Sequence, residues 1–93
     1  MINLRPGETL LEGKWIVVDG AVDGDDACKR IEELVRTCLK QIGVAEAGWA
    51  KLFVDPVDGR YWEQTYPNSE WHGGGPPTLT CVSDDYARAK YKL

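Results

Sequence analysis

The pattern of apolar and polar positions predicts one long amphipathic helix in the first half of the chain. Asp23 or Asp25 can cap the start of this helix, and Gly43 can end it. Apolar side chains recur at helical spacing, and they are Ala27, Ile31, Leu34, Val35, Cys38, Leu39 and Ile42. At 100° per residue these positions form a single stripe, and the opposite face is mostly charged. We therefore predict a helix of about eighteen residues that packs one face on a sheet.

Four short segments have the composition of β-strands, and they are residues 14–19, 49–54, 60–66 and 78–82. Each is rich in β-branched or aromatic residues, or alternates between apolar and polar side chains. The second and third are joined by a turn over residues 55–59, which is short enough to require an antiparallel pair. The apolar run from Trp15 to Val18 predicts a strand that is partly covered on both faces. We place Trp15 and Trp49 in the core.

The last element is a short helix over residues 84–91, which Ser83 caps. The predicted order of elements is therefore β-α-β-β-β-α. We expect one α+β domain over residues 1–93, in which a mostly antiparallel four-stranded sheet is packed by one long helix. The third strand carries aromatic side chains on both faces, and which face meets the helix stays open. A single helix covers only one face, which leaves aromatic groups for a partner.

Charge and cysteine content limit the classes of function. The net charge of −4 argues against a nucleic-acid binder and is compatible with a basic protein partner. Cys28 and Cys38 lie roughly 15 Å apart on the predicted helix, which is too far for a disulfide. With Cys81 they make an odd number, so we expect reduced thiols in a cytoplasmic protein. No segment resembles a signal peptide or a membrane span, so we expect no membrane partner, and the size favours a monomer.

The most unusual stretch covers residues 59–77 and reads GRYWEQTYPNSEWHGGGPP. The candidates for partner binding are Trp62, Glu63, Tyr66, Glu70, Trp71 and His72. The candidates for loop structure are Pro67, Gly73, Gly74, Gly75, Pro76 and Pro77, because glycine and proline set backbone shape. Aromatic and charged side chains on a loop of fixed shape are typical of a recognition surface. The same aromatic residues also fit a role in capping the core, and the pattern alone leaves both open.

The run from His72 to Gly75 is similar to the oxyanion-hole motif of lipases and esterases. That motif needs a Gly-x-Ser-x-Gly elbow, which the chain lacks. Three isolated cysteines and one histidine do not supply the convergent ligands of a metal site. We therefore predict no catalytic residue, no metal and no cofactor. The alternatives are a small cytosolic enzyme or ligand-binding domain that uses Glu63, Glu70, His72 and the glycines, and a subunit of a larger assembly.

The segment from Asp58 to Pro77 resembles the signature of the immunity protein 27 family, small bacterial proteins encoded beside polymorphic toxins. The matching motifs are Asp-Gly-Arg-Tyr-Trp-Glu from Asp58, Thr-Tyr-Pro from Thr65, Ser-Glu from Ser69 and His-Gly-Gly-Gly-Pro-Pro from His72. The runs over residues 13–17 and 28–32 also resemble the family. The resemblance implies an antidote that binds one cognate toxin domain and neutralises it by occlusion, without chemistry. The acidic character of the chain suits a basic toxin, so we expect a nuclease.

Overall fold

The computed structural model describes residues 4, 7–67 and 75–92. Five of its strands are β1 (Leu10–Glu12), β4 (Lys40–Ala45), β5 (Ala50–Val54), β6 (Tyr61–Thr65) and β7 (Thr78–Val82). They form one antiparallel sheet in the order β1-β7-β6-β5-β4. A separate hairpin consists of β2 (Trp15–Val18) and β3 (Ala21–Gly24), and the helices are α1 (Asp26–Glu33) and α2 (Asp84–Tyr91). The α+β class is confirmed, whereas the predicted count of four strands and their order are wrong.

One face of the sheet forms the main core with α1. Trp62 of β6 is completely buried there and lies opposite Phe53 of β5 in the strand register. Leu79 of β7 joins this cluster from the sheet, and Ile31 and Leu34 join it from the helical side. Because side chains alternate along a strand, the residues on either side of Trp62 point to the opposite face. The question of which face of β6 meets the first helix is therefore answered by Trp62.

The other face of the sheet is covered by α2. Ala87 of α2 and Leu52 of β5 have no exposed surface. Glu63 of β6 lies directly opposite Leu52 in the register and accepts hydrogen bonds from the hydroxyls of Tyr86 and Tyr91. The prediction that a single helix leaves one aromatic face of the sheet open is therefore wrong. The C-terminal helix is short, but its two tyrosines reach across this face to the buried carboxylate.

The predicted eighteen-residue helix is wrong in its second half. The α-helix ends at Glu33, a π-helical turn follows over Leu34–Cys38, and the chain then enters β4. In this turn the amide of Leu39 donates to the carbonyl of Leu34 at 2.8 Å. β-branched residues flank Gly43 in sequence, and this composition disfavours a helix. Pairing with β5 supplies the backbone hydrogen bonds instead, although the apolar spacing continues at helical period up to Ile42.

The other elements agree more closely with the sequence pattern. The strands β5, β6 and β7 lie within or at the predicted ranges, and α2 begins and ends as predicted. The Oγ of Ser83 accepts a hydrogen bond from the amide of Tyr86 at 3.1 Å, so the predicted cap is present. The first predicted strand exists as β2, but it pairs with β3 outside the main sheet. Its expected coverage on both faces is wrong, because Val17 is 75% exposed.

Gly43, which we predicted to end the long helix, is instead a point of close packing between β4 and α2. A Cβ atom at this position would lie 2.8 Å from Cδ1 of Tyr91. The tyrosine ring is held in place because its hydroxyl donates to Glu63 at 2.8 Å. We expect Gly43→Ala to lower the free energy of unfolding by about 1–3 kcal/mol, measured by urea denaturation.

The matched control is Gly7→Ala, because a Cβ atom there meets nothing within 4 Å. We expect this control to change the free energy of unfolding by less than about 0.5 kcal/mol. Equal losses in the two variants would contradict the explanation by close packing and would point to a general effect of replacing glycine.

Candidate partner-binding surface

Trp49 and Tyr66 form an aromatic pair at one end of the main sheet, in which Trp49 is exposed and Tyr66 is half-buried. Their ring centroids are 5.7 Å apart and the rings meet edge to face at 83°. Trp49 is 51% exposed, so its predicted place in the core is wrong. The short bend over Glu46–Gly48 precedes this residue, and its backbone has a positive φ at Glu46, Ala47 and Gly48. This bend places the Trp49 ring against Tyr66 instead of in the core cluster.

A shallow cleft of about 400 Å³ lies beside this pair, between Glu46, Trp49 and Pro67. The hydroxyl of Tyr66 accepts a hydrogen bond from the side-chain amide of Gln64 at 3.4 Å. Burial, and then the negative charge of Glu32, raise the pKa of Tyr66, so its hydroxyl keeps its proton at neutral pH. Two aromatic rings next to a carboxylate can accept an apolar or a cationic side chain of a partner.

A second cleft of about 370 Å³ separates the base of the hairpin from the ends of the 68–74 segment. Lys14 and Trp15 line it on one side, and Pro67 and Pro76 line it on the other. Pro67 also borders the cleft at Trp49, so the two clefts form one continuous surface. This surface includes Lys14, Trp15, Glu46 and Trp49, which lie outside the stretch 59–77.

The close approach of the two sides of this cleft depends on Gly13. The amide of Gly13 donates to the carbonyl of Pro77 at 2.9 Å. A Cβ atom at Gly13 would lie 2.6 Å from that carbonyl oxygen and 2.5 Å from Sγ of Cys28. Only glycine therefore lets the chain before the hairpin pass between Pro77 and α1.

The predicted loop residues fall partly outside the described part of the chain. Glu70, Trp71, His72, Gly73 and Gly74 lie outside the described residues. Among the others, Gly75, Pro76 and Pro77 are buried, whereas Pro67 is exposed. Gly75 has a φ of +79°, a conformation that glycine adopts without strain. The structural role that we predict for Gly75 fits this geometry.

Trp62 and Glu63, both predicted to bind a partner, are buried in the free protein. Trp62 has no exposed surface, and the guanidinium of Arg60 lies 5.0 Å from the centroid of its ring. Glu63 is 5% exposed and lies under α2 on the opposite face. A partner could reach either side chain only after the protein rearranges. Their assignment to partner contact stays a prediction, and these positions do not favour it.

The carboxylate of Glu63 is fully engaged by groups on α2. It accepts from the hydroxyl of Tyr86 at 2.9 Å and from that of Tyr91 at 2.8 Å, and it pairs with Nζ of Lys90 at 2.8 Å. Burial alone raises the pKa of Glu63, but the hydrogen bonds from Lys90, Tyr91 and Tyr86 outweigh it and the pKa is lowered. Hydrogen bonds to Glu46 and Glu63 raise the pKa of Lys90. The pair is therefore ionised at neutral pH.

The hairpin of β2 and β3 was not predicted from the sequence. Its two-residue turn is Asp19-Gly20, where both residues have a positive φ, +50° and +79°. This is the backbone of a type I′ turn, for which Asp-Gly between β-forming residues is a strong sequence signal. From the sequence we predicted only a strand over residues 14–19 and did not use this turn signal. The exposed apolar side chains of the hairpin are Ile16, Val17, Val18 and Val22.

The described residues were also searched for metal ligands, disulfides and membrane-spanning helices. No group of three or more potential metal ligands among them lies close enough to hold an ion. Cys28, Cys38 and Cys81 form no disulfide. Neither described helix has the length and apolar character needed to cross a membrane.

Comparison with known proteins identifies the family. No curated protein and no solved structure matched the chain. A family model described as Immunity protein 27 matches residues 17–83. The matched range contains most of the hairpin, all of α1 and the strands β4 to β7, as well as both ends of the 68–74 segment. The chain therefore belongs to the immunity protein 27 family.

Proposed function

We propose that this protein is the antidote to one bacterial toxin, which it neutralises by covering the active or substrate-binding site of the toxin. The observation that carries this proposal is the match to a family of immunity proteins over residues 17–83. The continuous surface from Trp49 through Pro67 to Trp15 supports it, because aromatic rings that line clefts are typical anchors of protein interfaces. Tyr66 of the predicted site lines the cleft at Trp49. Glu70, Trp71 and His72 lie outside the described residues, and their part in partner binding stays a prediction.

Inhibition by occlusion needs no reacting group in the antidote. The alternative of a small enzyme relies on Glu63 as part of an acid–base cluster with Glu70 and His72. Glu63 is held by Lys90, Tyr86 and Tyr91 under α2, and its pKa is lowered, so it is poorly suited to exchange protons near neutral pH. This arrangement favours the binding module over the enzyme.

We infer that the toxin is a basic protein and that a nuclease is the class that fits best. The antidote carries a net charge of −4, and opposite charges accelerate the encounter of two proteins. A nuclease must attract the phosphates of its substrate, so its substrate-binding site is commonly basic. An acidic antidote that covers such a site would use the same attraction as the substrate.

The test is to purify the protein with the toxin domain encoded by the neighbouring gene and to measure binding by calorimetry at moderate salt. We expect a one-to-one complex with a Kd of about 1 nM or lower, since an antidote must outcompete the substrate in the producing cell. Addition of the antidote should abolish cleavage of DNA or RNA by the toxin domain in proportion to the complex formed.

Two results would contradict the proposal in different ways. Absence of binding to the neighbouring toxin domain would remove the antidote function for this pair. Tight binding to a toxin that is acidic, or that acts on membranes, would support the antidote function and refute the claim that the toxin is a nuclease.

A further inference from the structure

The hairpin of β2 and β3 carries an unusual concentration of exposed apolar surface. Four of the nine large hydrophobic side chains that are exposed in the described part of the chain lie on its ten residues. Val17 and Val22 face one another across the ribbon on one side, and Ile16 and Val18 lie on the other side. Within the described residues, β2 and β3 pair only with each other, so both outer edges of the ribbon are open. Open apolar edges of this kind are usually protected or used for binding.

The base of the hairpin is anchored firmly, although its tip is exposed. The amide of Asp25 donates to the carbonyl of Lys14 at 2.9 Å and closes the ribbon at its base. Gly24 lies so close to α1 that a Cβ atom there would be 2.8 Å from Cβ of Cys28. An isolated two-stranded hairpin is only marginally stable in water. Attachment to α1 therefore presents the exposed apolar side chains of the hairpin in a defined direction.

The hairpin segment also contains the excess negative charge of the whole chain. Residues 12–26 carry five carboxylates and one lysine, which gives the segment a net charge of −4. The rest of the chain carries ten acidic and ten basic side chains and is neutral in sum. Glu12, Asp19, Asp23 and Asp26 are exposed around the ribbon. An aliphatic strip with an acidic rim matches a partner that presents an apolar groove with a basic rim.

We propose that this hairpin is the arm that docks onto the toxin domain, with its aliphatic side chains in an apolar groove rimmed by lysine and arginine. The inference rests on the proposed function, and it deepens it by naming the surface and the chemistry of the partner. A second copy of this chain is a poor occupant, because it would bring another net charge of −4 against the first. The arm is also continuous with the cleft at Trp15 and Pro67, so one partner can cover both.

The first experiment compares two matched valines in binding to the toxin domain of the neighbouring gene. Val17 is 75% exposed on the hairpin, and Val57 is 86% exposed in the turn between β5 and β6. We expect Val17→Lys to raise the Kd by about 100-fold, because it places a cation where apolar contact with a basic partner is required. Val57→Lys makes the same chemical change and should leave the Kd within about threefold.

A milder variant tests whether the effect of Val17→Lys comes from local unfolding of the hairpin. Threonine is nearly isosteric with valine and is well tolerated in strands, so Val17→Thr keeps the ribbon and removes a methyl group from its apolar strip. We expect it to raise the Kd by about 5- to 10-fold with an unchanged circular dichroism spectrum. The intact protein is used in each case, and its thermal unfolding is measured beside the binding.

The second experiment tests the acidic rim. Asp19→Asn with Asp23→Asn removes two charges from the hairpin, and asparagine tolerates the positive φ at position 19. We expect the association rate to fall by about 10-fold at low salt and the difference from wild type to disappear at high salt. Asp84→Asn with Asp85→Asn removes the same charge from the start of α2 and should have little effect on the rate.

The outcomes separate this inference from the proposed function. If the wild-type protein binds the toxin domain tightly and Val17→Lys and Val57→Lys bind equally well, the docking arm is refuted and the antidote function stands. If the wild-type protein does not bind, both are refuted for this toxin. If sedimentation shows a dimer that Val17→Lys dissociates, the occupant is a second copy and the inference is overturned.

Discussion

Replacement of Trp62 by alanine is expected to lower the free energy of unfolding by about 4 kcal/mol. The side chain has no exposed surface, and it lies between Phe53 and Leu79 of the sheet and Ile31 and Leu34 of the helical side. Its removal takes a large apolar group out of the main core. Because small folded proteins are stable by about 5–15 kcal/mol, the variant should be largely unfolded in moderate urea that leaves the wild type folded.

Two further variants identify the cause of this loss. Trp62→Phe keeps an aromatic ring in the core and removes the indole Nε1, which has no hydrogen-bond partner among the described residues. We expect it to lower the free energy of unfolding by about 1–2 kcal/mol. The cavity is smaller than in Trp62→Ala, and the loss of an unsatisfied donor offsets part of its cost. Trp49→Ala removes an exposed ring that meets Tyr66 edge to face and should cost about 1 kcal/mol or less.

Urea denaturation followed by far-ultraviolet circular dichroism measures all three free energies. The same variants also decide between the two interpretations of Trp62 that the sequence left open. If Trp62→Ala stays as stable as the wild type and loses affinity for the toxin, the residue is a partner contact and its burial in the free protein is not decisive. If stability falls as expected, while Trp62→Phe binds normally, Trp62 is a core residue.

The strands and the last helix could be predicted because their signals are local. In the segment 78–82 the side chains alternate between two faces, and turn-forming residues flank the segment at both ends. The strand is found at the predicted place. In α2 the Ser83 cap and the charge order fix the start, and the observed helix has the predicted bounds. Such elements need no information about distant residues.

The second half of the predicted long helix shows where local reasoning fails. Cys38, Leu39 and Ile42 keep the helical spacing, yet the chain turns at Leu39 and residues 40–45 pair with β5. The spacing of apolar residues along one segment gives no information about the energy of pairing with another strand. Here that other strand is β5, which is joined to β4 by a bend with positive φ at Glu46 and Ala47. The hairpin was missed for a different reason, since Asp19-Gly20 is a local signal that we did not use.

The candidate site could be predicted only in part, because burial depends on which element covers which face. Tyr66 and Pro67 lie on the exposed clefts, as a recognition surface requires. Glu63 follows Trp62 on the same strand, and both looked equally available in the sequence. The structure separates them, with Trp62 under α1 and Glu63 under α2. Nothing in the sequence near position 63 indicates that Tyr86, Lys90 and Tyr91 will supply its partners.

We expect Lys90→Met to lower the free energy of unfolding by about 2–3 kcal/mol, because it leaves the carboxylate of Glu63 buried without its counter-ion. Lys90 contacts Glu63 at 2.8 Å and Glu46 at 2.7 Å, and its own side chain is partly exposed, which limits the loss. The control is Lys92→Met, an exposed lysine two residues further along. It should change stability by less than about 0.5 kcal/mol, as measured by urea denaturation at neutral pH.

The pH dependence distinguishes a lost ion pair from a lost apolar contact. The pKa of Glu63 in the folded protein lies below its ordinary value of 4.5, so the unfolded chain binds more protons between the two values. The stability from this group is therefore fully present above about pH 5 and is lost as the pH falls through the folded pKa. Lys90→Met has already lost this pairing, so its stability should decrease less than that of the wild type between about pH 7 and pH 3.5. Equal decreases in both proteins would mean that Lys90 stabilises the fold through apolar packing of its side chain rather than through its ion pair with Glu63.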